Sequence, residues 1–504
     1  MAPGPPHSWL FGHIFVMKEA GRGFPDDIHP QVVMLALQRK HDLGRVFYLD
    51  LWPFSAPILV IGDPEVGKQV GVDHYLHKPS SFVKYQASIN GWKNLLTQEG
   101  SEWKQWRTLL NPGFQPKYLM QQVPGLMMLC ERFCKQLEKT AETKTIMRLE
   151  VASIKLAIEV IGLIGLGQDL QCQTNDSPLV EAFMRQTKLL GGTTGTGIPL
   201  LSTLLGEVTK PFKQRRNTAI IDAEVGKMVD EHFAAVVSAQ KQSPAAINLA
   251  LETFASEKNK QLDAGFRQIC IDQFKTFLFN GHDTSSTNIA YAHYALQTHP
   301  AALSSIRAEH DRVFGPSPSS ARALILARPH LLNQLPYTLA VIKECLRLWP
   351  PAAFGRSGAP GVNVHHGGAT LPTEGCLVYL SPYVLQRQRR GVWGADADAF
   401  RPERWLEGDV VPFAWVPFGL GPRVCIGQEL ALLEMKLFLV MTVRKFDLVP
   451  AYDEVEELWR QEGVVGRKRE RAEEGGEAYQ VFQGTAKPAE GMPVRVHKRF
   501  EVAL

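Results

Sequence analysis

The sequence predicts a mainly α-helical protein with a small β region. Three observations carry this. Apolar residues recur at helical spacing through several long segments. Strand-like runs are few, short and scattered. No linker is long enough to divide the 504 residues, so the helices are expected to share one body.

Taken in order, the chain starts "MAPGPPHSWLFGHIF", with no apolar run near the ~20 residues a membrane span needs and no signal-peptide pattern. "RVFYLDLW" (45–52) and "APILVIG" (56–62) read as strands. "MQQVPGLMMLCERFCKQLEK" (120–139) and "MRLEVASIKLAIEVIGLIGLG" (147–167) read as helices. A long helix is expected from Phe266 to Thr298, stopped at His299-Pro300. "FGPSPSSAR" (314–322) reads as a loop, "YTLAVIKECLRLW" (337–349) as a helix stopped by Pro350-Pro351. "SGAPGVNVHHGGATLPTEG" (357–375) reads as loop, "CLVYLSPYV" (376–384) as strand. "GRKRERAEEGGEAY" (466–479) is a mixed-charge, solvated insertion, and "PVRVHKRFEV" (493–502) a last strand.

Composition excludes several functions. The chain is 45% hydrophobic and 21% charged, with a formal net charge of +4, too small an excess for a nucleic-acid-binding stripe. Seven cysteines, none in a C-x-x-C pair, do not make a disulfide framework, and a reducing compartment is expected. Cys130 and Cys134 lack the further ligands of a zinc site. Neither a dinucleotide-binding glycine pattern nor a P-loop is present.

Chemistry concentrates in "PFGLGPRVCIG", residues 417–427. A cysteine before a helix is most often a small buried hydrophobe. Here "QELALLEMKLFLVMTVRKF" follows directly, so Cys425 lies just outside a helix N-terminus, where free N–H groups favour a thiolate. Gly421 and Gly427 would allow positive-φ turns and close approach to a flat ligand. Arg423 could reach a carboxylate on that ligand's edge, with Phe418 packed beside it. A planar dicarboxylate held by an iron–thiolate bond is haem.

Phe418-x-x-Gly421-x-Arg423-x-Cys425-x-Gly427 resembles the haem-binding loop of the cytochrome P-450 family at all five defining positions. The resemblance implies that family's fold, with haem b between the long central helix and the cysteine loop. Cys425 would be the axial iron ligand, whose thiolate favours O–O cleavage. Glu344 and Arg347 match the family's Glu-x-x-Arg pair, and Arg404 in "FRPERW" the arginine tied to it, a bracing role. "WKQWRTLLNPGF" is similar to the family's Trp-x-x-x-Arg helix, so Trp103 and Arg107 would bond the haem propionates, with Arg356 a further partner.

The centre of the long helix, "FLFNGHDTSSTN", resembles the oxygen-activation motif at Gly281, Asp283 and Thr284. Thr284 would bond the bound dioxygen and steady a water, and Asp283 would relay protons. Asn280 departs from the motif, where Ala or Gly is usual; its amide could meet substrate, organise a water, or cap a backbone carbonyl.

The resemblance covers almost the whole chain. It implies residues 1–25 as a proline-rich hinge lacking a membrane anchor, and 26–504 as one catalytic domain. The expected activity is insertion of one atom of O2 into a small apolar substrate, with electrons from NADPH through a separate NADPH–cytochrome P-450 reductase. The tail is similar to fungal polyketide-pathway members. Membrane association on the cytoplasmic face of the endoplasmic reticulum is expected for the native form. Lys104, Arg444 and Lys445 are the expected basic residues of the reductase-facing surface. Substrate is expected to meet residues 82–96, 191–205, Phe279, the segment after Pro351, and Tyr479. The alternatives are a haem-thiolate isomerase, dehydratase or peroxygenase, and a non-catalytic haem sensor; Asp283-Thr284 argues against both.

Overall fold

The computed structural model describes residues 3–190, 201–238, 245–256, 261–408, 410–461 and 476–499. The long helix spans Ala264–Thr298 and runs through the main apolar core. Asp263 caps it by accepting from Phe266 N–H at 2.9 Å, and His299-Pro300 ends it. It packs most extensively against the helix Leu149–Leu166. The two approach closely because each offers a glycine to the other's side chain. A Cβ on Gly165 would meet the Phe274 ring at 2.7 Å, and one on Gly281 would meet Ile161 at 2.4 Å. Gly281 therefore serves helix packing, which outweighs its poor helix propensity.

The helix Pro116–Thr143 continues through Pro124, and Pro336–Leu348 ends before Pro350-Pro351. Around this helical body lies a four-stranded sheet, in the order Val46–Leu49, Ile58–Ile61, Leu377–Leu380, Phe354–Ser357. The pairs are antiparallel, parallel and antiparallel. A second sheet joins Met147–Arg148, Pro493–Lys498 and Phe446–Pro450. Residues 3–13, part of the expected hinge, lie along the first strand: Tyr48 N–H donates to Pro3 O and His13 N–H to Asp50 O, each at 2.7 Å.

Two loop expectations are corrected. Residues 357–375 hold a hairpin, Asn363–His366 against Ala369–Pro372, turned by Gly367 and Gly368 at φ 56° and 78°. Paired positive-φ glycines are a hairpin signal that composition alone hides. Within 314–322, Ser320 already begins the helix Ser320–Ala327. Most of the charge run 466–479 lies outside the described residues.

Candidate functional site

Cys425 follows the short turn Gly421–Arg423 and precedes the helix Gln428–Thr442, whose N-cap is Gly427. Its N–H donates to Phe418 O at 2.9 Å, which folds the loop back on itself. Phe418 sets its ring edge-on to Trp415, centroids 5.8 Å apart. The cysteine side chain is accessible, whereas the other six cysteines are free and buried or half-buried. Yet the surroundings of Cys425 are dense enough that burial pushes its thiol up. Both facts hold if the sulfur opens onto a hollow inside the protein. The expected lowering by the helix end is outweighed: Gly427 N–H and Arg107 pull the thiol down, and burial wins.

Of the loop glycines, Gly421 adopts φ 68°, and a Cβ there would strike Gly71 O at 2.0 Å. Its freedom docks the loop onto the segment around Gly71. Gly427 has φ −87°, so the expected positive-φ turn is not at that position.

The structure brings Trp103, Arg356 and Arg423 together. The Arg423 guanidinium lies 4.0 Å over the Trp103 ring, bonds Leu95 O and Gln98 O, and pairs with Glu99 at 2.5 Å. Arg356, on the strand Phe354–Ser357, donates to Gly355 O at 2.9 Å and feels the charges of Arg423 and Glu99. Arg107 donates to Val424 O at 2.9 Å, next to the cysteine. Lys78 carries no signal in the sequence. Its ammonium bonds Leu96 O at 2.6 Å, and burial, then Arg423 and Arg356, push it down to about 7. Cations crowded this closely call for an anion beyond Glu99. The accessible sulfur, the aromatic ring and the cationic girdle fit a planar dicarboxylate; Lys78, Arg356, Arg423 and Trp103 are the residues that would hold its acid groups, and Cys425 its metal.

Behind the loop, Glu344 accepts from Arg347 Nε and Nη2 at 2.8 Å each, from Arg404 Nε at 2.9 Å, and from Arg401 N–H and Trp405 Nε1 at 3.0 Å each. Burial alone would raise this carboxyl, but its arginines hold it below the usual range. Arg347 also bonds three main-chain carbonyls, those of Gln386, Ala397 and Ala399.

On the long helix, only Asn280, Gly281, Thr284 and Tyr294 escape full burial between Cys270 and Leu296. Asn280 and Thr284 share a face, one turn apart. Thr284 donates its hydroxyl to Asn280 O at 2.8 Å, and Asn280 Nδ2 donates to Thr276 O at 2.8 Å. The one donor of Thr284 is thus spent on the backbone, while Asn280 keeps a second amide N–H and its Oδ1. Asp283 is fully buried and points elsewhere, with Lys487 Nζ 2.6 Å from its Oδ1. Lys487 carried no signal in the sequence, because the pairing joins distant parts of the chain.

Of the expected substrate segments, residues 82–96 overlap the helix Ser80–Asn90. The segment after Pro351 supplies the strand Phe354–Ser357, and Tyr479 precedes the hairpin Gln480–Gln483 and Thr485–Pro488. Residues 191–200 lie outside the described residues. Two of the expected docking cations are corrected. Arg444 is buried and pairs with Asp311 at 3.0 Å, so it cannot meet a partner. Lys445 follows the far end of the helix Gln428–Thr442, about 20 Å from the cysteine loop at 1.5 Å per residue. Lys104 is exposed.

Residues 2–472 match the family model for cytochrome P-450. The chain is 31% identical to the cytochrome P-450 monooxygenase acrF of Aspergillus aculeatus, covering 94% of this chain and 98% of that one. It is 31% identical to the cytochrome P-450 monooxygenase polC of Polytolypa hystricis (98% and 89%) and 29% identical to ptmG of Penicillium ochrochloron (99% and 90%). A crystal structure of a cytochrome P-450 superposes with a TM-score of 0.72 at 22% identity, covering 94% of this chain and 98% of that one, which is a likeness of fold.

Proposed function

The chain belongs to the cytochrome P-450 family and is a haem-thiolate monooxygenase, and on that premise we propose that it oxidises an apolar fungal secondary metabolite such as a polyketide, with electrons from NADPH through a separate reductase. The observation that carries this reading is Cys425, a reachable sulfur enclosed in the protein beside Arg107, on a loop whose Arg423 gathers with Lys78 and Arg356. Haem bound there supplies the activation of dioxygen and the cleavage of its O–O bond.

The chain's own residues do the rest. Trp103, Arg356 and Arg423, with Lys78, anchor the acid edge. Arg107 steadies the cysteine loop through Val424 O. Thr284 has spent its proton on Asn280 O, so its oxygen is free to accept from a water and hold it in place. Asp283 is the acid of the proton relay. Thr284→Ala tests the assignment. With reductase and substrate present, NADPH consumption should persist while hydrogen peroxide replaces product. Tight coupling in that variant would remove Thr284 from the relay, and no reductase-dependent NADPH use by the wild type would favour an isomerase, a peroxygenase or a sensor.

The native protein is read as seated on the cytoplasmic face of the endoplasmic reticulum. No helix among the described residues is long and apolar enough to cross a membrane. A surface patch supports attachment instead: Trp9 (89% exposed), Phe11, Phe15, Trp52 and Phe54 (82% exposed) flank the contact between His13 and Asp50. Exposed aromatics in one patch suit the headgroup boundary. Trp9→Ser with Phe54→Ser should weaken co-flotation with phospholipid vesicles; unchanged flotation would move the attachment elsewhere.

A further inference from the structure

One buried charge cluster plays no part in anchoring haem. Lys487, on the second strand of the C-terminal hairpin, lies 2.6 Å from Asp283 Oδ1 and 3.0 Å from Glu150 Oε1. All three side chains are buried, and two carboxylates share one ammonium. Burial alone would lower the Lys487 ammonium, but Asp283 and Glu150 more than offset it and hold it raised. Lys487 is the cation in contact with the Asp283 carboxylate, close enough for a charge-assisted hydrogen bond. Buried carboxylates normally collect such bonds.

The other neighbours do not replace Lys487. His282 Nε2 stands 3.9 Å from Asp283 Oδ1, and burial keeps that ring neutral. The Tyr85 hydroxyl, from the helix Ser80–Asn90, lies within the field of Asp283 and Lys487 and has no hydrogen-bond partner. Gly484, at the turn of the hairpin, rests on the same carboxylate: a Cβ there would lie 3.4 Å from Asp283 Oδ2 and 3.8 Å from the Phe279 ring. The hairpin thus touches Asp283 twice, by its turn and by its lysine.

We propose that Lys487 is a positioning residue that keeps Asp283 ionised and turned toward the C-terminal hairpin, so that displacement of the hairpin lets Asp283 take up a proton beside Thr284. Without Lys487, Asp283 is a buried charge with neither a partner nor a directed bond, and protonation is its way out. The proton comes from water admitted by the displaced hairpin and forms an O–H on Asp283; Lys487 stays an ammonium throughout. The functional half rests on Asp283 being the acid of the relay, whereas the hold of Lys487 on Asp283 does not.

Infrared titration of the full chain, with and without haem, from about pH 5 to 9 reads the hold directly. Glu434, pushed up to about 8 by burial, gives a protonated-carboxyl band at neutral pH in every form. Lys487→Met should show a second such band that wild type and Lys487→Arg lack, and added Asp283→Asn should remove that second band. Lys487→Gln, which loses the charge and keeps polarity, gives the same reading if the Met variant does not fold. No added band at neutral pH, or an added band that survives Asp283→Asn, overturns the proposal. In the haem-loaded enzyme the product-to-peroxide ratio should change several-fold in Lys487→Met and return in Lys487→Arg. An added band without that change would keep the hold and remove Asp283 from the relay.

Discussion

Glu344 and Asp283 are both fully buried carboxylates held by cations, and they are held in opposite ways. Glu344 accepts five hydrogen bonds, shared between its two oxygens, from Arg347, Arg404, Arg401 and Trp405. Asp283 has a single cation in contact, Lys487 at 2.6 Å, which it shares with Glu150. Planar guanidinium groups fix a carboxylate by geometry, whereas an ammonium on a four-carbon stem holds it as a point charge. The first arrangement suits a brace beneath the cysteine loop. The second suits the relay role proposed for Asp283.

The largest expected effect comes from breaking the brace. Glu344→Ala strands Arg347 and Arg404 in the interior, a loss of about 3–5 kcal/mol, and folded haem-containing protein should fall sharply in denaturant titrations. Asp283→Asn is the counterpart, and it removes one contact with a cation that has a second carboxylate partner. It leaves Lys487 and Glu150 as a one-to-one pair at 3.0 Å, so stability should change by no more than about 1 kcal/mol. Equal losses in the two variants would erase the distinction.

A smaller effect concerns a third buried acid, Glu434, on the helix after the cysteine loop. Burial, opposed by a hydrogen bond with Ser285, pushes its carboxyl from 4.5 up to about 8. The folded state then binds the extra proton between those values. Stability from this group is full below about 4.5, falls as pH rises, and levels off above about 8. Glu434→Gln should flatten that slope in thermal melts; an unchanged slope would assign it to other groups.

The fold and the cysteine loop were legible because they depend on local pattern. Periodicity marked the long helix, and the spacing of Phe418, Gly421, Arg423, Cys425 and Gly427 marked the haem loop. Lys78, Glu99, Glu150 and Lys487 were not legible. Each acts through a partner far away in the chain, and an isolated lysine or glutamate reads as surface. Gly281 belongs to a motif in the sequence, and in the structure it also makes room for Ile161. Arg444 looked like a docking cation because sequence does not show that Asp311 lies beside it.

The visible spectrum of the reduced, carbon-monoxide-bound protein, wild type against Cys425→Ser, tests the central claim most directly. A thiolate opposite the gas produces a strongly red-shifted Soret band. The wild type should show that band and the serine variant should lose it. An unshifted band in the wild type, or a shifted band that survives in Cys425→Ser, would contradict the assignment of Cys425 as the iron ligand.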